Sequence, residues 1–390
     1  LRGRAAGVQV FQSSGTPGAA MNVRVRGSTS INASNSPLYI IDGVPLIAGS
    51  FAQVGVGGQD INALADLNPN DIESIQVLKD AATAAIYGNR AANGVVLITT
   101  KKGRAGRTNI DFDASYGFQE VANLVELASS EQYREMMNEL YGSPDFLVAG
   151  TKDPDGNYYD TDWYDEIFRT SNIQNYSLST SGGDEKNRFF ANLSYSDNEG
   201  IIKKSQFKRY SGRLNLDHFA SDKFSIGMNL GYNYSQNQRV RNDNNIFGAV
   251  SVATLWSASV PVWNGQSASS PEGDGTFASA FGWDNPVASV TLYENVVTTN
   301  RLTGNAFAKY ELIDGLSFKV SVGIDALDLL EDVYEPSALQ SSNNGTAVIA
   351  QPRAINWLSE ATLSYQKRFG NHSLVAVAGV GLQEYQRRQD

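Results

Sequence analysis

The stretch that decides the fold is Ser36-Pro-Leu-Tyr-Ile-Ile-Asp-Gly-Val-Pro45, which is followed by Leu67-Asn-Pro-Asn-Asp-Ile-Glu-Ser-Ile-Gln-Val-Leu-Lys-Asp80 and Ala91-Ala-Asn-Gly-Val-Val-Leu-Ile-Thr-Thr-Lys-Lys-Gly103. Leu38 to Ile41 is a short apolar run, which predicts a strand. Asp42-Gly43 then supplies the positive φ of a tight turn. Val95 to Ile98 lacks polar alternation, which is typical of a strand covered on both faces.

The neighbouring segments extend this pattern into a small α/β unit. In Asn22-Val-Arg-Val-Arg-Gly27, valines alternate with Arg24 and Arg26, so one strand face is apolar and the other cationic. Asp80 stands at the N-cap position of an Ala-rich helical turn that Gly88 is predicted to end. These patterns by themselves predict a domain without a catalytic constellation.

The same segments resemble the plug domain of SusC/RagA-type TonB-dependent outer-membrane transporters. The similarity runs almost continuously over residues 1–103, with several motifs in the family's order and spacing. It implies an α/β plug domain over residues 1–107. The positions to which the resemblance gives a structural or gating role are Arg24, Arg26, Gly27, Asp42, Gly43, Asp80, Gly88, Asn93 and Gly94.

Composition excludes several function classes. The chain has no Cys and two His, which removes disulfides and thiolate metal sites and leaves little material for a catalytic triad. A net charge of −10 without a basic stripe argues against nucleic-acid binding. No carboxylate pair stands out as a glycoside hydrolase would require, so we do not expect an enzyme. No apolar run reaches the ~18–20 residues of a transmembrane helix, so membrane residence would require a barrel.

From residue 109 onward the pattern becomes period-2. Between Phe224 and Ser235, Ile226 and Leu230 alternate with Asn229 and Asn233, which predicts lipid-facing and lumen-facing positions. Arg213 and Asn215 fall on the polar face of a neighbouring strand. The predicted strands lie near 176–181, 188–196, 210–217, 224–235, 299–311, 315–326, 355–367 and 372–384. We therefore expect residues 108–390 to form an all-β antiparallel transmembrane β-barrel.

The lengths of the connections predict which ends of the strands face the periplasm and which face the outside of the cell. Short turns near 182–185, 220–222, 313–315 and 369–371 alternate with longer links at about 119–173, 198–207, 237–298 and 327–354. Short periplasmic turns and long extracellular loops are the rule in outer-membrane barrels. The roughly nine strands cannot enclose a folded plug, because such a barrel needs about 22. We therefore expect an N-terminal portion of a longer transporter, with the TonB-binding segment outside this chain.

The long links carry further candidates. Ser130 to Leu140 is predicted to be a helix. Asp153, Asp155, Asn157, Asp160 and Asp162 form an acidic cluster that departs from the EF-hand pattern, so a solvated loop competes with a Ca²⁺ site, and no other cofactor is expected. The aromatic residues Trp256, Trp263, Phe281 and Trp283 either pack among themselves or line a ligand or partner surface.

The resemblance implies active, TonB-dependent import of a large nutrient, a glycan or a peptide, across the outer membrane. It also implies a SusD-like surface lipoprotein and TonB as partners. The alternative is an outer-membrane receptor or adhesin that binds ligand without energised transport. Arg24 and Arg26 are hypothesised to face wall carboxylates such as Asp217 or Glu360, although pairing within the plug is the favoured alternative.

Overall fold

The computed structural model describes most of the chain. It covers residues 8–12, 14–19, 21–25, 35–49, 51, 65, 67–80, 85–144, 152–241, 246–339, 344–370 and 372–389. Among these residues, no helix is long and apolar enough to span a membrane.

The N-terminal unit contains two small sheets. Strands β1 (Gln9–Gln12) and β2 (Met21–Arg24) pair antiparallel. Four further strands, β3 (Leu38–Ile41), β4 (Val44–Pro45), β5 (Ile72–Leu78) and β6 (Val95–Thr100), form a sheet in the order β4-β3-β6-β5. The sheets share an apolar core that includes Val23, Val25, Tyr39, Ile41, Val96 and Ile98. Burial in this core raises the pKa of Tyr39, which therefore stays neutral.

The β3–β4 hairpin has the turn that the sequence predicts. Ile41 pairs with Val44, so Asp42 and Gly43 form a two-residue loop with φ of 47° and 91°. Positive φ at both central positions is the signature of a type I′ turn, whose twist matches the flanking strands.

The segment after Asp80 differs from the predicted helix. Its first part, residues 81–84, lies outside the described residues, and Ala85–Ala91 forms a 3-10 helix interrupted at Gly88. Gly88 has φ 67° and ψ −155°. This is a conformation essentially restricted to glycine, but it is not the left-handed helical stop that the sequence predicted.

The remaining strands of the described residues form one ten-stranded antiparallel sheet. Its order is β16-β15-β13-β12-β11-β10-β9-β8-β7, with β14 paired to β13. The strands are β7 (Gly106–Gln119), β8 (Ser171–Gly183), β9 (Asn187–Glu199), β10 (Gln206–Phe219), β11 (Phe224–Gln238), β12 (Glu294–Ile313), β13 (Leu316–Glu335), β14 (Thr346–Ala350), β15 (Arg353–Phe369) and β16 (His372–Arg388).

The two faces of this sheet follow the predicted alternation. Asn229 and Asn233 are buried on the inward face, which contacts the N-terminal unit, while Ile226 and Leu230 are exposed on the outward face. Strand β14 was not predicted, and β12 and β13 extend well beyond their predicted ends. The inward face of the extensions carries Val297 and Leu329, which are apolar and pack on Ile47 and Phe51. Asn295 and Glu331 are buried on the same face, so the extensions mix apolar and polar inward residues.

The connections separate into two sides. Turns at 184–186, 220–223 and 314–315 lie on one side, and links at 120–170, 239–293 and 336–352 lie on the other. The predicted longer link at 198–207 is instead a tight connection over 200–205. In the turn after β8, backbone N–H groups of Asn187 and Lys186 donate to Asp184 and lower the pKa of its carboxyl.

Two of the long links fold together into a helical layer. Helix α1 (Ser130–Tyr141) has Ser129 as its N-cap in a capping box and Gly142 as its C-cap in the left-handed conformation. Helices α2 (Trp163–Ile167), α3 (Ala249–Leu255) and α4 (Pro286–Leu292) share a buried apolar cluster. The links at 120–170 and 239–293 are therefore mutually dependent.

Candidate functional site between the N-terminal unit and the large sheet

The N-terminal unit lies against the inward face of the large sheet and contacts it through two groups of buried polar residues. One group surrounds Arg213 on β10, and we call it the Arg213 site. The other surrounds Arg301 on β12 and Asp325 on β13, and we call it the Arg301 site.

At the Arg213 site, carboxylates of the N-terminal unit meet a cation of the sheet. Arg213 Nε donates to Asp71 Oδ2 at 3.1 Å, and its Nη1 lies 3.9 Å from Asp42 Oδ2. Asn192 on β9 donates to the second Asp71 oxygen. These side chains of Arg213, Asp71 and Asp42 are only 5–6% exposed, so each charge depends on its partners.

Strand β6 adds a relay of hydrogen bonds to this site. Thr100 Oγ1 donates to Asp42 Oδ2 at 2.6 Å, and the Thr100 N–H donates to Asp42 Oδ1 at 3.0 Å. Asn215 Nδ2 on β10 donates to Thr100 Oγ1 at 2.9 Å and to the Lys101 carbonyl at 2.6 Å. Asp42 is thus held inside its own unit, and the hydroxyl that binds it is also bound by the sheet.

Asp71 reaches Arg213 because of local sequence. Asn68 caps the 3-10 helix Pro69–Asp71 by accepting from the Asn70 N–H, and Pro69 suits the first helical position. Asn68 Nδ2 also donates to Ser194 Oγ on β9 at 2.9 Å. The motif Asn68-Pro-Asn-Asp71 therefore forms a rigid turn that presents its carboxylate to the sheet.

At the Arg301 site, the charges pair within the sheet and bind the backbone of the N-terminal unit. Arg301 makes a bidentate pair with Asp325, with distances of 2.9 Å and 2.7 Å. Arg301 Nη2 donates to the Ile47 carbonyl at 3.0 Å, and Asp325 Oδ2 accepts from the Ile47 N–H at 2.6 Å. Asn356 on β15 donates to the Pro45 carbonyl at 2.6 Å. Arg301 and Asp325 are fully buried.

An apolar contact reinforces the Arg301 site. Ile47 and Phe51 pack with Val297, Leu327, Leu329 and Ala354 of the sheet. Gly323 allows a close approach nearby, because a Cβ there would lie 2.5 Å from Val44 Cγ2. The segment after the β3–β4 hairpin is therefore held by both polar and apolar contacts.

The motif residues predicted from sequence mostly lie inside the N-terminal unit. Arg24 places its guanidinium 5.7 Å from the centre of the Phe11 ring on β1. Asn93 Nδ2 donates to the Ser36 carbonyl at 3.5 Å. Gly94 has φ 92°, and a Cβ there would lie 2.9 Å from Val25 Cγ1. Asp80 lies at a bend. Arg26 and Gly27 fall outside the described residues.

The aromatic residues of the link at 239–293 pack among themselves and with the link at 120–170. Trp256 contacts Trp163 edge-on at 5.2 Å, and Trp263 stacks on Phe277 at 4.1 Å. Trp256 also meets Phe281, and Trp283 meets Phe247. These contacts show mutual packing, and a ligand or partner surface at these residues stays a prediction.

The acidic cluster of the link at 120–170 serves local structure. Asp153 accepts from the Asn157 N–H, Asp160 accepts from the Ser130 N–H, and Asp162 caps helix α2. Across the described residues, no group of three or more His, Asp or Glu side chains is placed to hold a metal ion.

Sequence reasoning missed Asp71, Arg301 and Asp325. A charged residue at an inward position of a strand was the available signal, because such a charge must find a partner once it is buried. Arg213, Arg301 and Asp325 all occupy such positions.

Comparisons with known proteins agree with this architecture. Residues 1–95 match the TonB-dependent Receptor Plug Domain family. TonB-dependent receptor P3 of Formosa agariphila is 32% identical over 99% of this chain and 36% of its own length. TonB-dependent receptor SusC of Bacteroides thetaiotaomicron is 36% identical over 65% of this chain and 24% of its own. A chain of the RagAB peptide importer in its closed-closed state superposes with a TM-score of 0.76 at 25% identity, covering 98% of this chain and 46% of that one.

The chain belongs to the SusC/RagA family of TonB-dependent outer-membrane transporters. The N-terminal unit is the plug, and the large sheet is barrel wall, located in the outer membrane. The siderophore receptor PirA of Acinetobacter baumannii shares the fold at a TM-score of 0.56 and 16% identity. The chain spans about a third of the length of TonB-dependent receptor P3. Members of this family are not enzymes.

Proposed function

We propose that this chain supplies the plug and adjoining wall of a transporter that imports a large nutrient, a glycan or a peptide. TonB supplies the energy, and a SusD-like surface lipoprotein cooperates at the outer face. The plug occupies residues 1–107 and the wall residues 108–390, a division supported by the start of β7 at Gly106.

The observation that carries this proposal is the chemistry of the plug–wall interface. The plug keeps its main apolar core within itself, around Tyr39 and Val96. At the Arg213 site it meets the wall through buried ion pairs and hydrogen bonds. Each hydrogen bond to a charged group has a net value of about 1.5–3 kcal/mol, because water replaces part of the interaction when the partner leaves. Such a contact seals the lumen but separates when the plug is pulled.

The Arg301 site holds the plug by apolar as well as polar contacts, so the two sides of the plug would separate from the wall one after the other. It combines the bidentate Arg301–Asp325 pair with the apolar packing of Ile47 and Phe51. Apolar burial adds free energy that water entry does not replace. The Arg213 side of the plug is therefore expected to separate before the Arg301 side.

The helical layer formed by the links at 120–170 and 239–293 is the proposed contact for the SusD-like lipoprotein. By strand order this layer lies on the extracellular side. Its buried Trp256 and Trp163 hold the links in a fixed shape. A preformed surface reduces the ordering cost of binding a partner.

Uptake by cells that carry the full-length transporter tests the proposal. Labelled oligosaccharide and peptide pools should accumulate only when both the transporter and TonB are functional, and a protonophore should abolish accumulation. Surface binding that persists while accumulation is absent in all conditions would indicate a receptor or adhesin instead.

A further inference from the structure

A row of tyrosines crosses the outward face of the wall. Tyr176, Tyr195, Tyr210 and Tyr234 lie directly opposite one another on β8, β9, β10 and β11. Their ring centres are 6.5, 4.9 and 6.2 Å apart in that order. Aromatic rows on the outer surface of a barrel mark the membrane interface.

An apolar groove lies next to this row. The adjacent rung, meaning the set of residues opposite one another across the strands, consists of Leu178, Leu193, Gly212 and Tyr232. Gly212 has no side chain, so the surface is notched between Leu193 and Tyr232. The groove has a volume of about 480 Å³ and is bounded on one side by Tyr195 and Tyr210.

The rung on the other side of the tyrosines is polar. It consists of Gln174, Asp197, Lys208 and Gln236. Asp197 is 7% exposed and accepts hydrogen bonds from Tyr195 Oη at 3.0 Å and Gln206 Nε2 at 2.7 Å. Within the described part of the chain, Lys208 forms no ion pair. A cation thus stands at the level where lipid headgroups begin.

The position of these rungs selects the leaflet. Strands β8 and β10 leave the extracellular side at Ser171 and Gln206, a few residues before Tyr176 and Tyr210. The groove therefore faces the outer leaflet, in which the phosphorylated, multiply acylated glycolipid lipid A is the main lipid.

We propose that the groove at Gly212 is a binding site for lipid A, with one acyl chain between Leu193 and Tyr232 and a phosphate on Lys208. Along the membrane normal, the apolar groove comes first, then the tyrosine row, then Lys208. This is the order of the acyl chains, the membrane interface and the phosphate in such a lipid. Each buried CH₂ group of the acyl chain contributes binding free energy. A charge-assisted hydrogen bond from Lys208 to the phosphate fixes the position of the headgroup. The inference rests on the outer-membrane location and does not depend on import.

Native mass spectrometry of the full-length transporter in mild detergent tests the site. Gly212→Leu fills the groove outward, and a Cβ there meets only Leu193 Cδ2 at 3.4 Å. Lys208→Gln removes the cation without filling the groove. Ala306→Leu, at an exposed outward position of β12, and Lys186→Gln, in the turn after β8, are the matched controls.

With purified lipid A as the probe, we expect wild type and both controls to retain bound lipid, and each groove variant to lose roughly tenfold in affinity, about 1.4 kcal/mol. Phosphatidylethanolamine at the same concentration should bind more weakly. Equal lipid A binding by Gly212→Leu and Ala306→Leu would overturn the proposal. So would equal binding of the two lipids, or a change of oligomeric state in Gly212→Leu without loss of lipid.

Discussion

Replacing Asp71 by Asn should loosen the plug on its Arg213 side. The substitution keeps the shape of the side chain but removes the charge that Arg213 Nε contacts at 3.1 Å. Arg213 would retain only Asp42, whose Oδ2 lies 3.9 Å from Nη1. Removing one partner of a buried ion pair costs about 3–5 kcal/mol, and we expect the lower end of that range because Asp42 still compensates part of the Arg213 charge.

The free energy of plug displacement is the quantity to measure. Conductance of the full-length transporter in a planar bilayer, recorded against urea concentration, reports the fraction of channels whose plug has moved. A loss of about 3 kcal/mol raises the open fraction by roughly a hundredfold at a fixed urea concentration. Asp71→Asn should therefore open at clearly lower urea than wild type.

Glu73→Gln is the matched control, two residues away at the start of β5. Its partner Arg104 has an 86% exposed side chain, and an exposed pair contributes little. The double variant Asp71→Asn with Arg213→Gln should recover part of the loss, with a coupling energy within about 0.5–3 kcal/mol. If Asp71→Asn opens at the same urea concentration as Glu73→Gln, or the two single effects simply add, the pair does not hold the plug.

Three further outcomes are expected. Leu230→Arg places a charge on the lipid face and should cost about 2–4 kcal/mol of folding into vesicles near mid-depth, whereas an unchanged free energy of folding would contradict the assigned outward face. Gly88→Val should destabilise the plug by about 1–3 kcal/mol through backbone strain alone, since no atom lies within 4 Å of the added Cβ. Gly15→Val is the control, because the added Cβ has equal space there and φ is not positive. Its effect in the same urea assay should be smaller. Trp256→Ala removes the ring packed on Trp163 and should cost about 3–5 kcal/mol in the helical layer, seen as faster proteolysis of the link at 239–293 with the strands intact.

Local rules predicted much of the fold because strand faces repeat every second residue. The alternation of Ile226 and Leu230 with Asn229 and Asn233 assigned both faces correctly. The Asp42-Gly43 turn followed from the requirement for positive φ. Where apolar and polar residues mix on the lumen side, as Val297 and Leu329 do with Asn295 and Glu331, the same rule did not predict the strand ends.

The contacts between plug and wall were not predictable by such rules. Asp71 and Arg213 are 142 positions apart in sequence, and no local pattern couples them. The sequence-based hypothesis placed cations on the plug and carboxylates on the wall. At the Arg213 site the charges are the other way round, because plug carboxylates contact a wall arginine. The alternation of residues along each strand predicts which of them face the lumen. Their partners depend on the position of the plug inside the barrel.

The outward face also shows how the wall crosses the membrane. The rung of Tyr234 continues to Asn300, Asp328 and Arg353, and the last two form an exposed ion pair at 3.3 Å. On β16, the exposed apolar residues Leu382 and Val380 lie on rungs nearer the periplasmic side.

A rung that is aromatic on β8 to β11 and charged on β13 and β15 cannot lie at one depth in the membrane. The strands must therefore cross the apolar band at an angle, as barrel strands do at about 35–45°. The tilt lifts the rung out of the lipid as it passes from β11 to β15. A lipid headgroup can thus meet the tyrosine row only over β8 to β11, where Gly212 leaves the groove open beside it.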